Sequence, residues 1–125
     1  MSGDWGRTQG KHVLVVDDEP SLRLLVRVNL ELEGHVVHEA ASLAEARAAL
    51  ERQAPDVVLL DIHVGSDDGL ELLDEIRALD LPVRVILLSG SSEVGPELRT
   101  SVDGVLGKPF ELGRLNEAVA GSTVR

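Results

Sequence analysis

The sequence predicts an α/β fold, a doubly wound sheet of five parallel strands with helices on both faces. Three observations lead there. First, Val57-Val58-Leu59-Leu60 is an unbroken apolar run that ends on Asp61 and is followed by a polar, glycine-bearing stretch, Ile62 to Gly69. Short apolar runs without alternation, closed by turn residues, are strands buried on both faces, as in parallel sheets. Second, the pattern recurs: Val13 to Val16 runs into Asp17-Asp18, Val85 to Leu88 into Ser89, and Val105-Leu106 through Gly107 into Lys108-Pro109. Third, helical stretches alternate with these runs at βαβ spacing, which makes right-handed crossovers nearly obligatory.

Taken in order, residues 1–10 are expected to form a loose tail, with Gly3, Gly6, Gly10 and the single Trp5. His12 to Val16 is strand one. Pro20 suits the first turn of a helix, where its missing N–H costs nothing. Leu22, Leu25, Val26 and Leu32 supply that helix with an apolar stripe, and Gly34 stops it. His35 to Glu39 is a short strand near an edge. Ser42-Leu43-Ala44-Glu45 is a capping box that opens a helix reaching about Gln53. Pro55 turns the chain into the central strand. A third helix runs from Gly69 to about Leu79, with Leu70, Leu73 and Ile76 facing in, and Pro82 precedes strand four. Ser91 to Val102 is a weak helix, cut early by Gly95-Pro96 to about two turns. Val105-Leu106 is the fifth strand, and Phe110 to Ala120 a last helix weakened by Gly113. No internal repeat or low-complexity run is present.

A chain of 125 residues suits one domain. It lacks cysteine, which excludes disulfides and thiolate metal sites. Its apolar runs fall far short of the ~20 residues that span a bilayer, and Met1 to Gly10 has no signal-peptide core. A cytoplasmic protein without membrane contact is the default expectation. With 22 acidic and 12 basic residues the formal net charge is -10, which argues against direct nucleic-acid binding and fits a partner that is cationic.

Parallel strands bring their polar ends to one edge, where α/β proteins collect their chemistry. Asp17, Asp18, Asp61, Ser89 and Lys108 would meet there. Two carboxylates about 5 Å apart repel by roughly 3 kcal/mol at an effective dielectric of 20, so the cluster needs a cation or a raised pKa. Hard oxygen donors suit Mg²⁺ or Mn²⁺. Asp18 and Asp61 can supply the carboxylates, with Asp17 acting through water. Lys108 can pair with a phosphate oxygen and Ser89 can donate to another. Asp61, at the tip of the central strand, is the natural nucleophile for an aspartyl phosphate.

Val15-Val16-Asp17-Asp18-Glu19-Pro20, the strand ending at Asp61, Asp68-Gly69, Leu88-Ser89-Gly90 and Lys108-Pro109-Phe110 together resemble the receiver domain of bacterial two-component response regulators. The resemblance covers about residues 11–120. It implies a flavodoxin-like sheet in strand order 2-1-3-4-5. It implies that Asp61 is the phosphoacceptor, taking its phosphoryl group from a sensor histidine kinase or a phosphotransfer protein. Asp17 and Asp18 match the acidic pair that helps hold Mg²⁺, and the backbone carbonyl of His63 matches a third protein ligand. Ser89 matches the switch hydroxyl and Lys108 the lysine that contacts the phosphoryl group. The expected domain is 11–121, without an output domain, acting on a downstream protein partner or through a phosphorylation-linked dimer. Such a receiver catalyses its own phosphoryl transfer and slow dephosphorylation and is not otherwise an enzyme.

The sequence departs from the family pattern in three places. Val105 stands where an aromatic switch residue is usual, Val64-Gly65 where Met-Pro is common, and the segment from Gly90 to Lys108 is short. These motivate an alternative, a receiver-like binding module or phosphate-relay intermediate that does not switch. A phosphatase of the haloacid dehalogenase type is remote, since His63 stands where its second Asp would be. The remaining readings are structural: His12, His35 and His38 as surface or half-buried residues, Asp67 and Asp68 as loop formers, and Phe110 as core packing.

Overall fold

In the computed structural model, which describes residues 10–90 and 94–121, five strands form one parallel sheet. They are β1 (His12–Val16), β2 (Val36–Ala40), β3 (Val57–Asp61), β4 (Arg84–Ser89) and β5 (Gly104–Gly107), in the order β2-β1-β3-β4-β5. That is the expected order. Five helices alternate with them: α1 (Pro20–Leu32), α2 (Leu43–Arg52), α3 (Leu70–Ala78), α4 (Pro96–Thr100) and α5 (Leu112–Ala120). Trp5 and residues 1–9 of the expected tail lie outside the described residues, as do residues 91–93 of the weak helix. Among the described residues no helix is long and apolar enough to cross a membrane.

Alternation along each strand divides the core in two. Leu14, Val16, Val58, Leu60, Val85 and Leu87 pack on one face with Ala46 of α2 and Leu72 and Ile76 of α3. Val13, Val15, Val57, Leu59, Ile86 and Leu88 pack on the other with Val26 and Leu30 of α1 and Leu115 and Val119 of α5. Every residue of β3 is buried, because it is central in the sheet and covered on both sides. Each Leu or Val so enclosed contributes about 1.5–3 kcal/mol.

Gly34 ends α1 as expected, at φ 94. Its N–H donates to the Glu31 carbonyl and that of His35 to the Leu30 carbonyl, the paired bonds of a Schellman stop. Ser42 Oγ accepts from the Glu45 N–H at 3.1 Å, and the Glu45 carboxylate accepts from the N–H of Ala41 at 2.7 Å. The capping box is therefore present, with its return bond one residue upstream.

The structure corrects several expectations. On α1, Val26 and Leu30 are fully buried, whereas Leu25 is 48% and Leu32 81% exposed. Apolar residues occupy most of the circumference of this helix, so spacing alone does not choose the inward face. On α3, Leu72 is buried beside Leu73 and Ile76, while Leu70 is only partly so. β2 runs from Val36 to Ala40 and leaves His35 outside the strand. α4 keeps five residues, none of them buried, little more than one turn. α5 begins at Leu112, two residues after Phe110.

Candidate functional site

Register brings the polar strand ends together. Asp17 directly follows β1, Asp61 is the last residue of β3 and lies opposite Leu88, and Ser89 ends β4 opposite Gly107 of β5. The next residue, Lys108, donates its N–H to the Ser89 carbonyl at 2.6 Å. The Lys108–Pro109 peptide is cis.

Asp17, Asp61 and Ser89 are the buried polar residues of the described structure, and all three belong to this edge. Lys108 Nζ donates to Asp17 Oδ2 at 2.8 Å and stands 3.4 Å from Asp61 Oδ2. Asp18 is exposed, yet one carboxylate oxygen from each of Asp17, Asp18 and Asp61 lies within 4.8 Å of the other two. Three hard oxygens with no sulfur or imidazole among them fit a small divalent ion of the Mg²⁺ class.

Charge and burial act against each other here. Burial, and then the negative charge of Asp17, push the Asp61 carboxyl above the ordinary carboxylate range, with Lys108 and the His63 N–H pulling it back. Burial pulls the Lys108 ammonium down, but its hydrogen bond to Asp17 and the charges of Asp17 and Asp61 outweigh this and raise it. The site thus keeps its one cation charged beside a carboxylate that is partly stripped of solvent.

His63 follows two residues after Asp61. Its side chain is exposed, and its N–H donates to Asp61 Oδ1 at 3.3 Å. It opens a short antiparallel ribbon, His63–Val64 against Asp67–Asp68, turned at Gly65 with φ 62, a conformation that favours glycine. Proline, with φ locked at about −65°, could not stand at position 65 in this turn. Asp68 Oδ1 accepts from the Leu70 N–H at 2.9 Å and so starts α3, as expected of a loop-forming Asp.

Gly69, Arg23 and Glu39 also shape the site, and none of them is marked for that role in the sequence. Gly69 lies so close to the strand end that an added Cβ would collide with the Asp61 carbonyl oxygen, and its N–H donates to the Ile62 carbonyl at 2.7 Å. Arg23 of α1 donates to the Asp17 carbonyl at 2.7 Å and to Glu39 of β2 at 2.9 Å. Sequence marks Gly69 as a helix start and within the Asp68-Gly69 pair, with no sign that it packs against the Asp61 carbonyl. An arginine and a glutamate sixteen residues apart carry no local signal until the β1–β2 pairing is known.

A family model described as the response regulator receiver domain matches residues 13–120. Sporulation initiation phosphotransferase F of Bacillus subtilis is 30% identical over 110 residues, covering 86% of this chain and 89% of that protein. The transcriptional regulatory protein TrcR of Mycobacterium tuberculosis is 38% identical over 106 residues, covering 82% of this chain but 41% of its own length. The chain likewise spans less than half of several other curated regulators that it matches. Among solved structures, the receiver domain of NtrX from Brucella abortus superposes with a TM-score of 0.76 at 36% identity, covering 88% of this chain and 99% of that one. A CheY-like receiver domain protein from Methanospirillum hungatei gives 0.80 at 26% identity, covering 90% and 92%.

Proposed function

The chain belongs to the response regulator receiver domain family, and from that premise we propose that Asp61 is its phosphoacceptor in a Mg²⁺- or Mn²⁺-dependent reaction. The single observation that carries this reading is Lys108 Nζ between Asp17 and Asp61, at 2.8 and 3.4 Å, beside the three clustered carboxylates. The phosphoryl donor is a sensor histidine kinase or a phosphotransfer protein. An Asp61 carboxylate oxygen forms the new O–P bond as the P–N bond to the donor imidazole breaks, and that bond's electron pair returns to the nitrogen. Lys108 sets its ammonium against the phosphoryl oxygens, and Ser89 donates its hydroxyl to one of them.

Asp18 and Asp61 would hold the ion directly, Asp17 through water, and the His63 carbonyl would complete the protein ligands. When bound, the ion neutralises charge on the cluster and on the incoming phosphoryl oxygens. The chain catalyses its own phosphorylation and slow dephosphorylation and turns over no other substrate. A cytoplasmic location belongs to the same reading. Incubation with Mg²⁺ and acetyl phosphate, followed by intact-mass measurement, tests it. One added phosphoryl group on wild type and none on Asp61→Asn is expected. Equal addition to both would end the assignment.

A second reading is a phosphate relay that moves little on phosphorylation. Val105 and the single-turn α4 with no buried residue favour it, as does likeness to a protein named as a phosphotransferase. Amide exchange with a beryllofluoride mimic separates the two. Protection confined to the loops after β1, β3 and β4 supports the relay, and a change reaching 94–107 supports a switching surface for a downstream protein or a dimer.

A further inference from the structure

We propose that Arg23 is a positioning residue for the cation site, aiming Asp18 by gripping the peptide that joins it to Asp17. The inference rests on the reading of the acidic cluster given above. It starts from how completely Asp17 is held. The Asp17 N–H donates to the Ala40 carbonyl at 3.1 Å. One of its carboxylate oxygens accepts from the Glu19 N–H at 3.0 Å and the other from Lys108 Nζ at 2.8 Å. Its carbonyl accepts from Arg23 Nη1 at 2.7 Å.

That last bond is the one that reaches Asp18. The carbonyl oxygen lies in the rigid peptide plane shared by Asp17 and Asp18, so fixing it fixes where the Asp18 Cα stands. The Glu19 N–H, tied back to the Asp17 side chain, fixes the far end, an Asx-type turn. Asp18 is exposed, and its aim comes from the backbone on either side of it.

Arg23 can act this way because its other end is anchored. Nε donates to Glu39 Oε1 at 2.9 Å, and the second Glu39 oxygen takes Arg27 Nη1 at 2.8 Å. The Arg23 side chain is only 15% exposed and that of Glu39 24%, so water competes little for either bond. A planar fork donates in two directions at once, which a lysine ammonium on a flexible stem does not reproduce. The Arg27 link, at 42% exposure, is the weaker support.

Calorimetric titration of the full chain with Mn²⁺, together with the Mg²⁺ dependence of phosphorylation by acetyl phosphate, tests the inference. Arg23→Ala is expected to weaken Mn²⁺ binding roughly fivefold, since each tenfold corresponds to about 1.4 kcal/mol and one charge-assisted bond is lost. Arg23→Lys, which keeps the charge, is expected to lose most of the same affinity. In both, half-maximal phosphorylation moves to higher Mg²⁺ while the rate at saturating Mg²⁺ returns to that of wild type. Unchanged Mn²⁺ affinity in a folded Arg23→Ala, with or without a lower melting temperature, overturns the inference. So does a lower saturating rate with an unmoved Mg²⁺ requirement. If Arg23→Ala does not fold, Arg23→Lys and Glu39→Gln decide by the same criteria. Failure of the underlying site reading looks different: wild type would not bind Mn²⁺, or Asp18→Asn would bind it as well as wild type.

Discussion

Asp61 shows most plainly how one residue holds opposing demands. Its folded-state pKa is raised, so in the window between the ordinary carboxylate range and that raised value the folded chain binds more protons than the unfolded one. Stability contributed by Asp61 is therefore present at acid pH and lost as pH rises through this window. Without divalent ions, Asp61→Asn is expected to melt above wild type at neutral pH, with the gap closing as pH falls toward the ordinary carboxylate range. Differential scanning calorimetry across pH measures this, and a gap that widens on acidification would contradict the sign. Gly69 makes the opposite case, since a single methyl group would press on the Asp61 carbonyl oxygen. Gly69→Ala is expected to cost more than about 2 kcal/mol in urea denaturation and to slow phosphorylation, because the strand end must move to admit it. The charged members of the site were legible in the sequence as residues at strand ends. Arg23 was not, and Gly69 was marked only within the Asp68-Gly69 pair, because the roles of both depend on distances across the fold.

At the scale of elements, chain order and strand composition foretold nearly every segment, while the choice of buried face was harder to read. α1 carries leucine and valine on several sides, and Val26 and Leu30 face the sheet while Leu32 faces water. Leu30→Ala is expected to cost about 2–5 kcal/mol and Leu32→Ala within about 0.5 kcal/mol, measured by chemical denaturation. Similar losses for the two would mean that the helix is rotated. α4 buries none of its residues fully and rests on the core through the partly buried Leu98, so the turn between it and β5 adds to its anchoring. Arg77 of α3 donates to the Ser101 carbonyl at 3.0 Å, and Asp103 accepts from the Val85 N–H at 2.7 Å. Arg77→Ala is expected to speed amide exchange in residues 96–103 by severalfold while leaving β1 and β3 unchanged. Neither tie could be foreseen from a segment whose most visible local feature is Gly95-Pro96.

For the whole molecule, the parallel sheet and the convergence of strand ends followed from the alternation of runs, because topology permits few other arrangements, while the strand order came from the family resemblance. The proposed ion binds only the folded arrangement of carboxylates, so it stabilises by mass action. Mg²⁺ at about 100 times its dissociation constant is expected to add roughly 2.7 kcal/mol, and Asp61→Asn should lose most of that gain in a thermal-shift titration. The salt pair formed by Lys108 with Asp17 and Asp61 carries one more consequence. The protein brings its own resident counter-ion to the acidic edge, so chelating agents should idle the chain without melting it. On the proposed reading it would wait fully assembled through a shortage of magnesium and return to service as soon as the ion does.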